Sequence, residues 1–229
     1  MYCIALKKSK RLANVTAEFR KHELDVKILQ FDRMLDGKRG CFESHQAALR
    51  MGVEKGYPSI VVFEDDVTFC CPTPSFPRKA NDGETAADLI CRGRVLVERD
   101  PWLVVGLGGL VTASFDTVPV EWNFYRARFA AAHAYVVSRQ AAIQILQLQY
   151  NSVHFDMKLQ QVFENNMLVC LPTVAYQKAY FFDEVTSTET SLPYFFLTLG
   201  RNLLHPLFVQ RVFEVFWWIV SCVRLRLSH

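Results

Sequence analysis

Ser59-Ile60-Val61-Val62-Phe63-Glu64-Asp65-Asp66 is the stretch on which the fold turns. Its apolar part is unbroken and rich in β-branched and aromatic side chains. Such a run, without polar alternation, marks a parallel strand covered on both faces. Gly56 and Pro58 stand just before it and stop a helix expected over residues 44–55. Upstream, the pattern predicts a strand over Tyr2–Leu6, a basic loop of Lys7, Lys8 and Lys10, and a helix over residues 11–22. A strand over 26–31 follows, then a loop over 34–39 with Gly37 as its turn residue.

Downstream of the acidic triplet lies a proline-rich loop over 71–83, then a helix near 84–91 and an apolar strand over 103–107 that runs into Gly108-Gly109. The middle of the chain reads as irregular. After it come a strand at 134–137, helices at 140–148 and 156–163, and a short strand over 167–171 that closes on Pro172. Strands alternating with helices argue for an α/β sheet that is at least partly parallel. The expected division is a catalytic domain over residues 1–200 and an aromatic amphipathic helix over 201–229.

Three carboxylates at the end of a buried strand need a reason, because burying unpaired charge is costly. In a strand, residues i and i+2 share a face, so Glu64 and Asp66 are expected to point together, with Asp65 pointing away. Two hard oxygen donors at a strand's carboxyl end suit Mg²⁺ or Mn²⁺, often shared with substrate phosphates. Open α/β sheets bind ligands at that edge. A solvated strand-to-loop junction with Glu64 paired to a lysine is the plainer alternative.

The chain has 229 residues, enough for one domain and a tail, and 26 basic against 23 acidic residues give a formal charge of +3. That balance is too mild for a nucleic-acid partner. Seven cysteines, with Cys70 and Cys71 adjacent and no C-x-x-C pair, read as reduced thiols. The opening segment is too short for a secretory signal core, so the expected location is cytoplasmic, with a membrane surface as a possible contact.

Gly40-Cys41-x-x-Ser44-His45, a helix, and then the apolar strand ending in Glu64-Asp65-Asp66 resemble glycosyltransferase family 25. That group includes lipooligosaccharide galactosyltransferases and collagen-modifying transferases. Ile4-Ala5-Leu6 with Arg11, Trp102 to Gly108-Gly109, Ala132-His133-Ala134-Tyr135-Val136-Val137-Ser138-Arg139, His154-Phe155-Asp156 and Gln177 extend the resemblance in order over about residues 2–185. Ala5 stands where the family often has asparagine, and the loop at 70–83 is peculiar to this chain.

The resemblance implies a GT-A-like fold with a mixed, mainly parallel sheet flanked by helices. It also implies metal-dependent, inverting transfer of a hexose from UDP-galactose or UDP-glucose to a hydroxyl of a glycan, glycolipid or protein. On this reading Asp66, with Glu64 or Asp65, holds Mn²⁺ or Mg²⁺ against the donor diphosphate, and His154 is a further ligand candidate. Arg11, Ser44, His45, Glu64 and Asp65 are the donor-side candidates, with Ser44 and His45 alternatively capping a helix. Asp156 and Asp183 are the candidates for the base that inversion requires. His133 reads as a core histidine ahead of a catalytic one.

In the tail, Phe208, Val212, Phe216, Ile219 and Val223 gather on one side of a helical wheel, with Gln210, Arg211, Glu214, Ser221 and Arg224 on the other. Such a helix suits a membrane interface, packing on the catalytic domain, or a homo-oligomer contact. Two other functions fit the carboxylates: nucleotidyl transfer, for which no Gly-rich phosphate loop follows the first strand, and a non-catalytic nucleotide-sugar-binding module.

Overall fold

The computed structural model describes residues 1–69, 85–99, 101–114, 120–121, 123–171 and 173–177. Asp183, the proline-rich loop and the tail helix lie outside the described residues.

The first half builds one edge of the sheet. Strand β1 (Tyr2–Leu6) leads through Arg11 into α1 (Leu12–Lys21), and β2 (Lys27–Phe31) returns parallel to β1. Helix α2 (Gly37–Glu54) then crosses to β3 (Ser59–Glu64), which lies parallel to β1 on its other side. Helix α2 begins earlier than residue 44 because Asp36 caps it, its carboxylate accepting a 3.1 Å hydrogen bond from the Arg39 N–H. Gly37 is therefore the first helical residue and not a turn residue, and Ser44 lies inside the helix rather than at its cap.

Past β3, the short strand β4 (Val67–Phe69) leaves the main sheet, and α3 (Ala86–Val97) starts on a capping box made by Thr85 and Asp88. Strands β5 (Val104–Gly106), β6 (Leu110–Ser114), β7 (Phe124–Ala130) and β8 (Ala134–Ser138) follow. Helices α4 (Arg139–Leu146) and α5 (Phe155–Phe163), then β9 (Met167–Cys170) and β10 (Ala175–Gln177), complete the described part.

The main sheet has eight strands in the order β2-β1-β3-β8-β5-β9-β7-β6, and β10 pairs with β4 in a second, two-stranded sheet. Six of the eight run one way, while β8 and β7 oppose them, so the sheet is mixed with a dominant direction.

Alternate residues of β3 feed two cores. Val61 and Phe63 pack with Val15 and Phe19 of α1 and with Leu89 and Ile90 of α3. Ile60 and Val62 pack with Leu49 of α2, Ile145 of α4 and Leu159 of α5. Helices thus cover both faces, which is why β3 carries no polar alternation. Helix α2 sits so close that a Cβ on Gly52 would lie 2.5 Å from a side-chain carbon of Ile60.

The segment read as irregular contains β6 and β7. Only Phe124, Ala127 and Phe129 of β7 are buried, and Arg126 and Arg128 interrupt the apolar pattern.

Candidate functional site

Parallel strands bring their carboxyl ends to one edge, so the loop after β1 meets the residues after β3. The chain leaves the ladder at Glu64, and Asp65 and Asp66 lie in a turn before β4. The alternation expected for a continuing strand therefore does not apply beyond Glu64. Instead, Asp65 and Asp66 share one cation. Arg11 Nη1 is 3.3 Å from Asp65 Oδ1 and 3.3 Å from Asp66 Oδ2, with all three side chains nearly buried. The Ser9 hydroxyl donates to Asp65 Oδ2 at 2.8 Å and accepts from the Arg11 N–H at 3.1 Å.

A second support comes from the far end of the chain's described part. Gln177, on β10, donates its amide N–H to Asp66 Oδ2 at 2.8 Å. The register of the small sheet explains this, since Gln177 pairs with Val67, the residue after Asp66. The other oxygen, Asp66 Oδ1, is buried with no hydrogen-bond partner. Burial and the nearby Glu64 carboxylate push Asp66 up to about 8, against the pull of Arg11 and Gln177. An orphaned acceptor of this kind in a native fold calls for an occupant. A hard divalent cation supplies what this oxygen lacks, so the residues fit the metal that the sequence implies.

Glu64 faces differently. Its Oε1 is 3.2 Å from His45 Nε2, and His45 Nδ1 is 2.9 Å from the Tyr135 hydroxyl. His45 is fully buried, and desolvation lowers its pKa to about 3, so the ring is neutral. It stacks on Phe155 with centroids 4.1 Å apart. Enclosed this way, His45 acts on Glu64 rather than reaching solvent. Ser44 donates to the Gly40 carbonyl at 2.7 Å within α2. Cys41, one turn before His45, brings its sulfur into the same group as His45 and Glu64. Burial first, then the carboxylates of Glu64, Asp156 and Asp66, push its thiol up. In the sequence Cys41 belongs to the motif that carries the resemblance but has no ligand role; its spacing of four from His45 was the available signal.

Asp156 sits in the first turn of α5. Its Oδ2 accepts the Ala131 N–H at 2.7 Å, and Oδ1 accepts the Met157 N–H at 2.9 Å. Ala131 has φ 66°, a left-handed conformation uncommon for alanine, which the Asp156 contact helps to hold. His154 is exposed at the helix N-cap without a side-chain cap bond, and it is not in the group that Cys41, His45 and Glu64 form. His133 is buried, and its carbonyl accepts the Glu64 N–H at 2.9 Å.

The model of glycosyltransferase family 25, described as an LPS biosynthesis protein family, matches residues 30–163. The chain belongs to glycosyltransferase family 25. The match takes in α2 with Cys41, Ser44 and His45, the acidic triplet, and Asp156. As a member of that family the chain is a glycosyltransferase, and its sheet is mixed, mainly parallel and flanked by helices, as the sequence led one to expect.

No curated protein matches the chain. Among solved structures, A197 from STIV is similar at TM-score 0.44 and 10% identity, covering 82% of this chain and 98% of that one. A glycosyltransferase involved in glycosylating the major capsid of PBCV-1 is similar at TM-score 0.38 and 9% identity, covering 73% and 80%. A Drosophila β-1,4-galactosyltransferase 7 mutant in complex with manganese, UDP-Gal and xylobiose is similar at TM-score 0.38 and 8% identity, covering 86% and 78%. Likenesses this distant contribute nothing to the chemistry.

Proposed function

We propose that this family 25 transferase moves a hexose, galactose or glucose, from a UDP-sugar to a hydroxyl of a glycan, glycolipid or protein, with inversion and with Mn²⁺ or Mg²⁺. The observation that carries the reading is Asp66 Oδ1, buried without a partner at the edge where the parallel strands end. Asp66, with Glu64 or Asp65, would hold the ion, and bound there it would neutralise charge developing on the departing diphosphate. Arg11 and Ser9 fix Asp65, Gln177 fixes Asp66, and His45 with Tyr135 fixes Glu64. These contacts support the reading, because electrostatic catalysis requires charged groups held in place.

Asp156 is the proposed base for the acceptor hydroxyl. Each carboxylate oxygen accepts a backbone N–H and retains a lone pair for that proton. Asp183 is the second candidate, and His154 a further candidate ligand. Contact of the tail helix with a membrane surface or with a second copy belongs to the same proposal, as does a cytoplasmic location. Among the described residues, no helix is long and apolar enough to cross a membrane.

The test is UDP release from a panel of UDP-sugars with Mn²⁺, with Mg²⁺ and with chelator, for the wild type and Asp66→Ala. Metal-dependent release from one sugar, lost in the variant, is the expected result. Calorimetry on the same nucleotides covers a slow hydrolysis background. Absence of binding with and without metal would overturn the reading.

A further inference from the structure

Cys41 and His45 are four residues apart on α2, so both lie on one helix face, over the end of β3. One ligand atom from each of Cys41, His45 and Glu64 lies within 4.8 Å of the other two. His45 Nε2 and Glu64 Oε1 are already 3.2 Å apart, a separation that ligands of one small cation adopt. We propose that Cys41, His45 and Glu64 form a second metal site, for a borderline-soft divalent transition ion of the zinc class, separate from the ion assigned to Asp66.

The donor set argues for this class of ion. A thiolate and an imidazole select zinc-like ions, whereas the oxygen donors of Asp66 suit Mn²⁺ or Mg²⁺. The surroundings meet the second requirement, that the ring be oriented. Tyr135 engages the remote Nδ1 at 2.9 Å, and Phe155 stacks on the ring at 4.1 Å. With Nε2 on the ion, Nδ1 carries the proton and donates to the Tyr135 oxygen, as outer-shell partners of metal-bound histidines do. Binding displaces the thiol proton of Cys41 to solvent. Glu64 is an electrostatic neighbour of Asp66; with Glu64 engaged here, Asp65, which shares Arg11 with Asp66, is the carboxylate left to assist Asp66 with the other ion.

The test is titration of the full chain with Co²⁺, which reports thiolate ligation by a near-ultraviolet charge-transfer band and tetrahedral geometry by its visible bands. The wild type is expected to gain both, to saturate at a single equivalent, and to lose them when Zn²⁺ is added. Cys41→Ser is expected to lose the near-ultraviolet band with an unchanged far-ultraviolet circular dichroism spectrum. Asp66→Asn is expected to keep the band. Absence of the band in the wild type overturns the site, as does its persistence in Cys41→Ser. Loss of the band in Asp66→Asn overturns the separation of the two ions. Failure of the transferase reading shows up elsewhere, as missing UDP release with the cobalt spectrum intact.

Discussion

At the residue scale the site turns on Arg11, whose Nη1 serves two carboxylates. A guanidinium in that position does part of what a divalent ion does: it compensates the buried Asp65 carboxylate and opposes the upward push on Asp66. Removing one partner of a buried ionic group typically costs about 3–5 kcal/mol, because the remaining charge is left uncompensated. Arg11→Ala is therefore expected to lower the unfolding midpoint strongly without metal. A cation that binds the native state stabilises it by mass action, so Mn²⁺ is expected to restore more stability to the variant than it adds to the wild type. Thermal unfolding of both proteins with Mn²⁺ and with chelator checks this. Equal metal-induced shifts would show that Arg11 and the ion do not serve the same carboxylates. The acidic triplet and Arg11 were legible as a pair of sequence signals. Their geometry was not, because the departure of the chain from β3 at Glu64 depends on β4 finding β10 more than a hundred residues later.

At the element scale, α1 and β4 are joined by one carboxylate. Glu18 Oε1 accepts the Phe69 N–H at 2.9 Å and the Thr68 hydroxyl at 3.0 Å. Burial pushes Glu18 up, but these two hydrogen bonds, with Lys21 and His22 nearby, outweigh it, and the net direction is below the ordinary 4.5. A carboxylate with a depressed folded-state pKa contributes stability that is present above its unfolded pKa. That contribution is lost as pH falls from about 4.5 through the lower folded value. Glu18→Gln is expected to be less stable at neutral pH and to lose less on acidification through this window, which urea midpoints at graded pH would show. A parallel pH profile for both proteins would remove Glu18 from the account. Elements of this kind divide cleanly by legibility. The long apolar strands β3 and β8 and most helices were readable from period and caps. Strands β4 and β10 have three residues each, too few to carry a period, and β7 hid behind Arg126 and Arg128. The start of α2 at Gly37 was missed because Gly37 suggested a turn, while Asp36 decided the cap.

At the scale of the whole described molecule, the site depends on how the small sheet is fastened to the large one. The fastening is at the end of β5, where the Leu107 carbonyl accepts both the Val174 N–H at 2.8 Å and the Ala175 N–H at 3.0 Å. That approach requires a residue without a side chain next to it. A Cβ on Gly108 would collide with the Ala175 carbonyl oxygen and lie 2.5 Å from His133 Nε2. Backbone cannot yield as a flexible side chain does, so Gly108→Ala must push β10 outward. Overpacking of this sort costs about 1–3 kcal/mol. It also displaces Gln177, two residues beyond Ala175, from its 2.8 Å bond to Asp66. Gly108→Ala is therefore expected to lower both the thermal midpoint and metal-dependent UDP release. Gln177→Ala, which removes the amide without moving the strand, is expected to lower UDP release with a much smaller change in the midpoint. Measured side by side, the two variants separate the strap from its tip. If Gly108→Ala keeps full activity while losing stability, β10 is only a structural brace, and Asp66 is positioned by Arg11 alone.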